Sequence, residues 1–240
     1  MATSSSGGDK FTRNLVIAMV ALVVVVGAAF SYFGSKGSET AAIPSSVSKA
    51  DGYGIVFNAD VPNVPTIDVY EDFQCPVCAR FEAINGITLE KAIEEKKAKV
   101  VYHVLSFLGT ESILAANAAA CASDEDKFLA FHKAFYANQP AENAGAIDAT
   151  FLKSIGAAIG INSPKFAACV DNGGYSDWVK NVAEAGAKAN VNSTPTVFVN
   201  GPKVGVAGSV VGIASVVEYT NKLTSSLKSP VTNLYFTTTR

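Results

Sequence analysis

The sequence predicts an α/β domain built on a mixed central sheet, interrupted by an all-helical insertion and preceded by one N-terminal transmembrane helix. Three observations predict this. An uncharged apolar run lies near the N-terminus, strand patterns occur only before residue 109 and after residue 190, and a Cys-X-X-Cys stands where a strand pattern gives way to a helical one.

The apolar run extends from Leu15 to Phe33, and at about 1.5 Å per residue a helix of that length reaches roughly 28 Å, enough to cross a bilayer. Lys10 and Arg13 precede it and favour the cytoplasmic side, so residues 1–13 are expected inside and the rest of the chain outside, at the cell membrane. A cleaved signal peptide is the competing reading, since Gly27-Ala28-Ala29 offers small residues for cleavage. The span is longer than an ordinary signal core, however, and Phe30, Tyr32 and Phe33 suit an interface. A single-pass anchor over 14–33 is therefore favoured. Residues 34–52, rich in Ser, Gly and Ala, read as a flexible linker.

The globular pattern begins with a short strand at Gly54 to Phe57, then Thr66 to Phe73, where Ile67, Val69 and Glu71 share one face. From Pro76 the period becomes helical, through Phe81, Ile84, Ile87 and Leu89, and Lys99 to Leu108 reads as a buried strand. Residues 110–189 form an Ala-rich series of short helices broken near Asn138-Gln139-Pro140 and Asn172-Gly173-Gly174. Thr196 to Val199 restores a strand, Asn200-Gly201 signals a hairpin to Lys203–Ala207, and Val210 to Leu227 reads as a closing amphipathic helix. Residues 53–109 and 190–228 thus make one domain, 110–189 an inserted helical domain and 229–240 a C-terminal tail. A helix between two strands needs a crossover, so the sheet is mixed, as in the thioredoxin layout.

The chemistry concentrates at Cys75-Pro76-Val77-Cys78. At a helix start, free N–H groups and the positive end of the dipole favour a thiolate, which makes Cys75 the attacking sulfur. Cys78 lies one turn on, placed to resolve a mixed disulfide or close a reversible bridge. Pro76 fits the first turn because its missing N–H costs no helical bond. A zinc site is the rival reading of a CxxC, but it would have to recruit the distant Cys121 and Cys169. Thr194-Pro195 opens a late strand; a cis bond there would free the preceding backbone to pair with an extended substrate, whereas an ordinary trans turn would not. Substrate contacts are accordingly expected from Pro76, Val77, Thr194 and Pro195.

Cys121 and Cys169 both fall on helical patterns of the insertion and are read as a structural disulfide, with a second redox pair as the alternative. His103 and His132 lie in apolar patterns and read as packing residues. A formal net charge of −2 gives no reason to expect nucleic acid, and no metal or organic cofactor is required.

Tyr70-Glu71-Asp72-Phe73-Gln74-Cys75-Pro76-Val77-Cys78, Thr194-Pro195-Thr196 and the stretch from Ala116 to Pro140 resemble the DsbA-like branch of the thioredoxin superfamily, the bacterial extracytoplasmic disulfide oxidases. The resemblance covers roughly residues 61–227. It implies thiol-disulfide oxidoreductase activity on the thiols of exported proteins and a membrane quinone-linked oxidase as re-oxidant. A reductase or isomerase, or a substrate-binding, chaperone-like module, shares the same motifs. The chain departs from the family pattern twice. Many relatives carry a buried acid six residues before the nucleophile, where this chain has Val69; Glu71 and Asp72 stand closer and equally suit a solvated strand end. Val77 stands where DsbA has histidine and cannot donate to a thiolate, which implies a potential less oxidising than the ~−120 mV of DsbA.

Overall fold

Parallel pairing needs a crossover, and the apolar helix between two β-rich segments supplies it. The computed structural model describes residues 40–200 and the backbone of 203–205. Among these residues β3 (Thr66–Asp72) leads through α1 (Pro76–Glu94) into β4 (Lys99–Leu105), and the two strands pair in parallel from Thr66–Lys99 to Asp72–Leu105. β1 (Val47–Ser48) and β2 (Gly54–Phe57) add antiparallel on the far side of β4. β5 (Thr196–Val199) and β6 (Lys203–Gly205) extend the sheet from β3, giving the mixed order β1-β2-β4-β3-β5-β6. The central strands carry the core: Ile67, Val69, Val100, Val101 and Leu105 are fully buried. Close strand packing explains Gly54, where a Cβ would meet Val101 Cγ1 at 2.3 Å.

The insertion between β4 and β5 is wholly helical: α2 (Thr110–Ser123), α3 (Phe128–Ala137), α4 (Ala149–Ala158), α5 (Pro164–Asn172) and α6 (Ser176–Lys188). Its alanines have a packing role, since Ala115, Ala116, Ala118, Ala119, Ala120 and Ala122 are all buried and let neighbouring helices approach α2 closely. The expected breaks occur where side-chain chemistry demands them. α3 stops before Asn138, and α5 ends on Gly173 in the left-handed region at φ 62°. Trp178 is fully buried in α6 and its Nε1 donates to the Tyr53 carbonyl at 3.0 Å, which ties the insertion to the sheet side of the molecule.

The end of the expected linker departs from the sequence reading. Pro44 is buried, Val47 and Ser48 form β1, and the Ser45 amide donates to Asp124 of α2 at 3.4 Å. A two-residue strand is too short to leave a periodic signal. The expected membrane span 14–33, the closing helix from Val210 to Leu227 and the tail 229–240 lie outside the described residues. Among the described residues no helix is long and apolar enough to cross a membrane.

Candidate active site

The strand-to-helix junction places the two free cysteines as the sequence implies. Cys75 is the N-cap of α1, with extended backbone (φ −72°, ψ 115°), and Pro76 occupies the first turn. The Cys75 carbonyl accepts from the Cys78 and Ala79 amides at 3.0 and 3.2 Å, which fixes Cys78 a turn behind the nucleophile. Cys78 is sealed and Cys75 keeps 7% exposure, so access to the nucleophile is through a narrow window. Pro76 is exposed and Val77 half-buried beside it. The Thr194–Pro195 bond is cis, and the Cys75 thiol lies 3.5 Å from the Thr194 carbonyl.

These surroundings split the two thiols. The Cys78 thiol donates to Cys75 and, against the cost of burial, Thr194 and the Cys78 and Val77 amides add to the stabilisation, bringing Cys75 down to about 6. Val77 thus contributes through its main chain, although its side chain cannot. Cys78 is driven far above the ordinary thiol value, first by burial and then by Cys75 and Glu71. Because Cys75 ionises below the ordinary 9.0, its charge favours the folded reduced chain fully above about 9, and that contribution is lost as pH falls through about 6. Alkylation of the reduced chain by iodoacetamide is therefore expected to modify one cysteine, with a rate that rises through a midpoint near pH 6 and then levels; a midpoint near 9 would contradict the assignment.

Glu71 and Asp72 are buried, at 3% and 0% exposure, which corrects their reading as a solvated strand end. Strand alternation sends them to opposite faces. Asp72 Oδ1 accepts from the Gln74 amide at 2.9 Å and the Ser112 hydroxyl at 2.7 Å, and Oδ2 from the Leu108 amide at 3.2 Å. The result is a rigid loop before Cys75. Glu71 turns toward α1 and α3, where His132 Nε2 lies 2.8 Å from Glu71 Oε2 and His132 Nδ1 3.7 Å from Glu82 Oε2. His132 is therefore more than a packing residue. His103 comes closer to that expectation, stacked on Tyr70 at 4.0 Å with Nε2 3.0 Å from Asp68.

Burial raises Glu71 well above the carboxylate range, with Cys75 adding to the rise and a hydrogen bond with Glu82 opposing it; burial and Glu71 lift Glu82 to about 8. Burial also lowers His132, leaving a neutral imidazole. The two carboxyls are both raised by burial and are coupled, so they titrate as a pair rather than as separate groups. The liganding atoms of Glu71, Glu82 and His132 all lie within 4.8 Å of one another, yet the two ring nitrogens face different carboxylates, an arrangement for protons rather than for one ion. Sequence reading missed Glu82; its one signal was helical spacing, which puts it on the face of Cys78 and Phe81.

Cys121 and Cys169 are bonded to each other, 5.9 Å apart at Cα and joining α2 to α5, so the four-cysteine zinc reading fails. A family model described as thioredoxin matches residues 62–218.

The chain belongs to the thioredoxin family. Within it the chain is DsbA-like: it resembles the thiol-disulfide oxidoreductase MdbA from Actinomyces oris, at 26% identity and TM-score 0.62 over 81% of this chain and 93% of that one. It also resembles reduced DsbA from Mycobacterium tuberculosis, at 27% identity and TM-score 0.56 over 69% and 98%. Among curated sequences it is similar to the serine/threonine-protein kinase PknE of M. tuberculosis, 27% identical over 150 residues, and spans about a quarter (26%) of that kinase's length. The chain pairs a CxxC at a helix start with a cis-proline loop.

Proposed function

We propose that this chain forms disulfides in exported proteins by dithiol-disulfide exchange, with its catalytic domain outside the cytoplasm and a membrane quinone-linked oxidase as re-oxidant. One observation carries the reading: the Cys75 sulfur is a stabilised thiolate at the N-cap of α1, beside the Thr194–Pro195 bond, while its partner Cys78 is held protonated.

In the oxidised form a substrate thiolate attacks Cys75 Sγ, the Cys75–Cys78 bond breaks, and the Cys78 sulfur leaves and takes a proton. A second substrate thiolate then attacks the substrate sulfur of the mixed disulfide, and Cys75 departs as a thiolate. The substrate loses two electrons and the chain gains them. A low value for Cys75 makes it a good leaving group and favours the reduced form, which is the property of an oxidant. Exposed Pro76, half-buried Val77 and the Thr194–Pro195 loop border the sulfur and would contact an extended substrate. Val77 in place of a donating histidine supports a potential below that of DsbA.

Re-oxidation runs the other way. The Cys75 thiolate forms a mixed disulfide with the re-oxidant, and Cys78 must lose its proton before it can attack Cys75. Glu71 is the nearby carboxylate that acts on Cys78 electrostatically, and it takes that proton.

Replacing Cys78 with alanine tests the function. Mixed with reduced, unfolded exported proteins and a disulfide oxidant, the variant is expected to accumulate covalent adducts through Cys75, while the native chain turns over and leaves oxidised substrate. Non-covalent capture that is equal for the native chain and for Cys75→Ser would instead mark a binding module.

A further inference from the structure

The loop that presents Cys75 is held by the helical insertion together with Leu108 just before it. Tyr136 donates from its hydroxyl to the Asp72 carbonyl at 3.2 Å, and the Asn143 amide donates to Gln74 Oε1 at 2.8 Å. Gln74 Nε2 in turn donates to the Leu108 carbonyl at 3.2 Å and to Ser112 Oγ at 3.0 Å. One contact reaches the nucleophile's own backbone: Gln139 Nε2 donates to the Phe73 carbonyl at 2.7 Å and to the Cys75 carbonyl at 3.0 Å. Its two amide hydrogens suffice for both bonds.

The Cys75 carbonyl belongs to the Cys75–Pro76 peptide plane, whose orientation is the ψ of Cys75. That angle decides where the first turn of α1, and with it the Val77 and Cys78 amides, sits relative to Cys75 Sγ. Both amides stabilise the thiolate. Pro76 has no N–H with which to anchor this plane from its other side. The Cys75 carbonyl also accepts from the Cys78 and Ala79 amides of its own helix; Gln139 adds a side-chain clamp on the same peptide unit from the loop following α3, outside the thioredoxin core.

We infer that Gln139 is a positioning residue through which the insertion sets the reactivity of the Cys75 thiolate, by fixing the Cys75–Pro76 plane so that the first-turn amides stay aimed at the sulfur. This rests on the oxidoreductase reading for its purpose, but its test does not require exchange activity. Gln139 touches neither sulfur and acts through the backbone.

The experiment compares the reduced native chain with Gln139→Met, of similar length and without donors, and with Gln139→Glu, of similar shape but with an acceptor where the donors stood. Asn138→Ala serves as the control, since Asn138 Nδ2 bonds only the Ala134 carbonyl within α3. Ionisation of Cys75 is followed by thiolate absorbance at 240 nm across pH, and folding by near-ultraviolet circular dichroism and thermal melting. Both Gln139 variants are expected to ionise at higher pH than the native chain, so that the thiolate-to-thiol ratio near pH 6 falls about fivefold, the effect of one lost neutral hydrogen bond. Gln139→Glu should show the larger shift, and Asn138→Ala none. An unchanged ionisation midpoint in whichever Gln139 variant stays folded overturns the inference, as does a shift that merely tracks the melting temperature across all three variants. A native chain that exchanges no disulfide while these midpoints still move would sink the oxidoreductase reading and leave the clamp standing.

Discussion

Replacement of Glu71 by glutamine is expected to slow closure of the Cys75–Cys78 bridge by about a hundredfold near pH 7, the lower range of what a positioned proton acceptor contributes. In stopped-flow mixing of the reduced chain with a small disulfide, two phases are separable: attack by Cys75 to form the mixed disulfide, and attack by Cys78 to resolve it. The first depends on a thiolate already present and should change little. The second needs the buried Cys78 proton removed, and no water reaches this fully buried sulfur. The repulsion from Cys75 that helps to hold Glu71 protonated disappears when that sulfur enters a mixed disulfide, so Glu71 becomes able to accept a proton at the step that requires it. Glutamine keeps the shape and an acceptor for His132 but cannot take up a proton. Glu90 also acts on Glu82 and His132, and the cluster's charge reaches Tyr102 and Tyr136; all of these stay in place in the variant. Closure in the native chain should accelerate as pH rises and the coupled carboxyl pair loses a proton, whereas the variant should follow hydroxide alone. Equal closure rates at pH 7 would remove Glu71 from the mechanism; a defect that appears in the native chain only after chelation would reassign the cluster to a metal.

The parts of this site that were legible in the sequence are those encoded within a few residues. Strand-to-helix switching located Cys75 and Cys78, Pro76 marked the first turn, and strand parity put Glu71 on the face of Ile67 and Val69. Long-range partners leave no local trace. His132 is 61 residues from Glu71, and Gln139 is 64 from Cys75. His132 looks ordinary in its helical pattern, and Gln139 looks ordinary at a helix break. The same reason explains why Glu71 and Asp72 read as a solvated pair: two adjacent acids at a strand end are usually exposed, and here α1 and the insertion together bury them. Helices α2 to α6 were visible as a group because alanine-rich packing spreads over the whole segment. β1 was not, since its two residues are held by partners in β2 and its neighbour Ser45 by Asp124 at the C-cap of α2.

That insertion depends on one covalent tie, and removing it gives the largest expected loss of stability. Cys121 and Cys169 are 48 residues apart in sequence, and releasing a loop of that length from the denatured chain corresponds to about 4 kcal/mol in the chain-entropy account. For a domain of this size the double variant Cys121→Ala with Cys169→Ala should melt about 8–16 °C lower. The alternative role, a second redox pair relaying electrons from Cys78, requires sulfur contact. Ser112, at the active-site end of α2, lies nine residues before Cys121, about 14 Å along the helix axis, too far for exchange without unfolding α2. Well below its melting point the double variant should therefore close Cys75–Cys78 at the native rate, and mild reduction of the native chain should open Cys75–Cys78 while Cys121–Cys169 survives in peptide mass spectra. A variant that melts normally but exchanges slowly would establish the relay, because only redox participation could cost rate without costing stability.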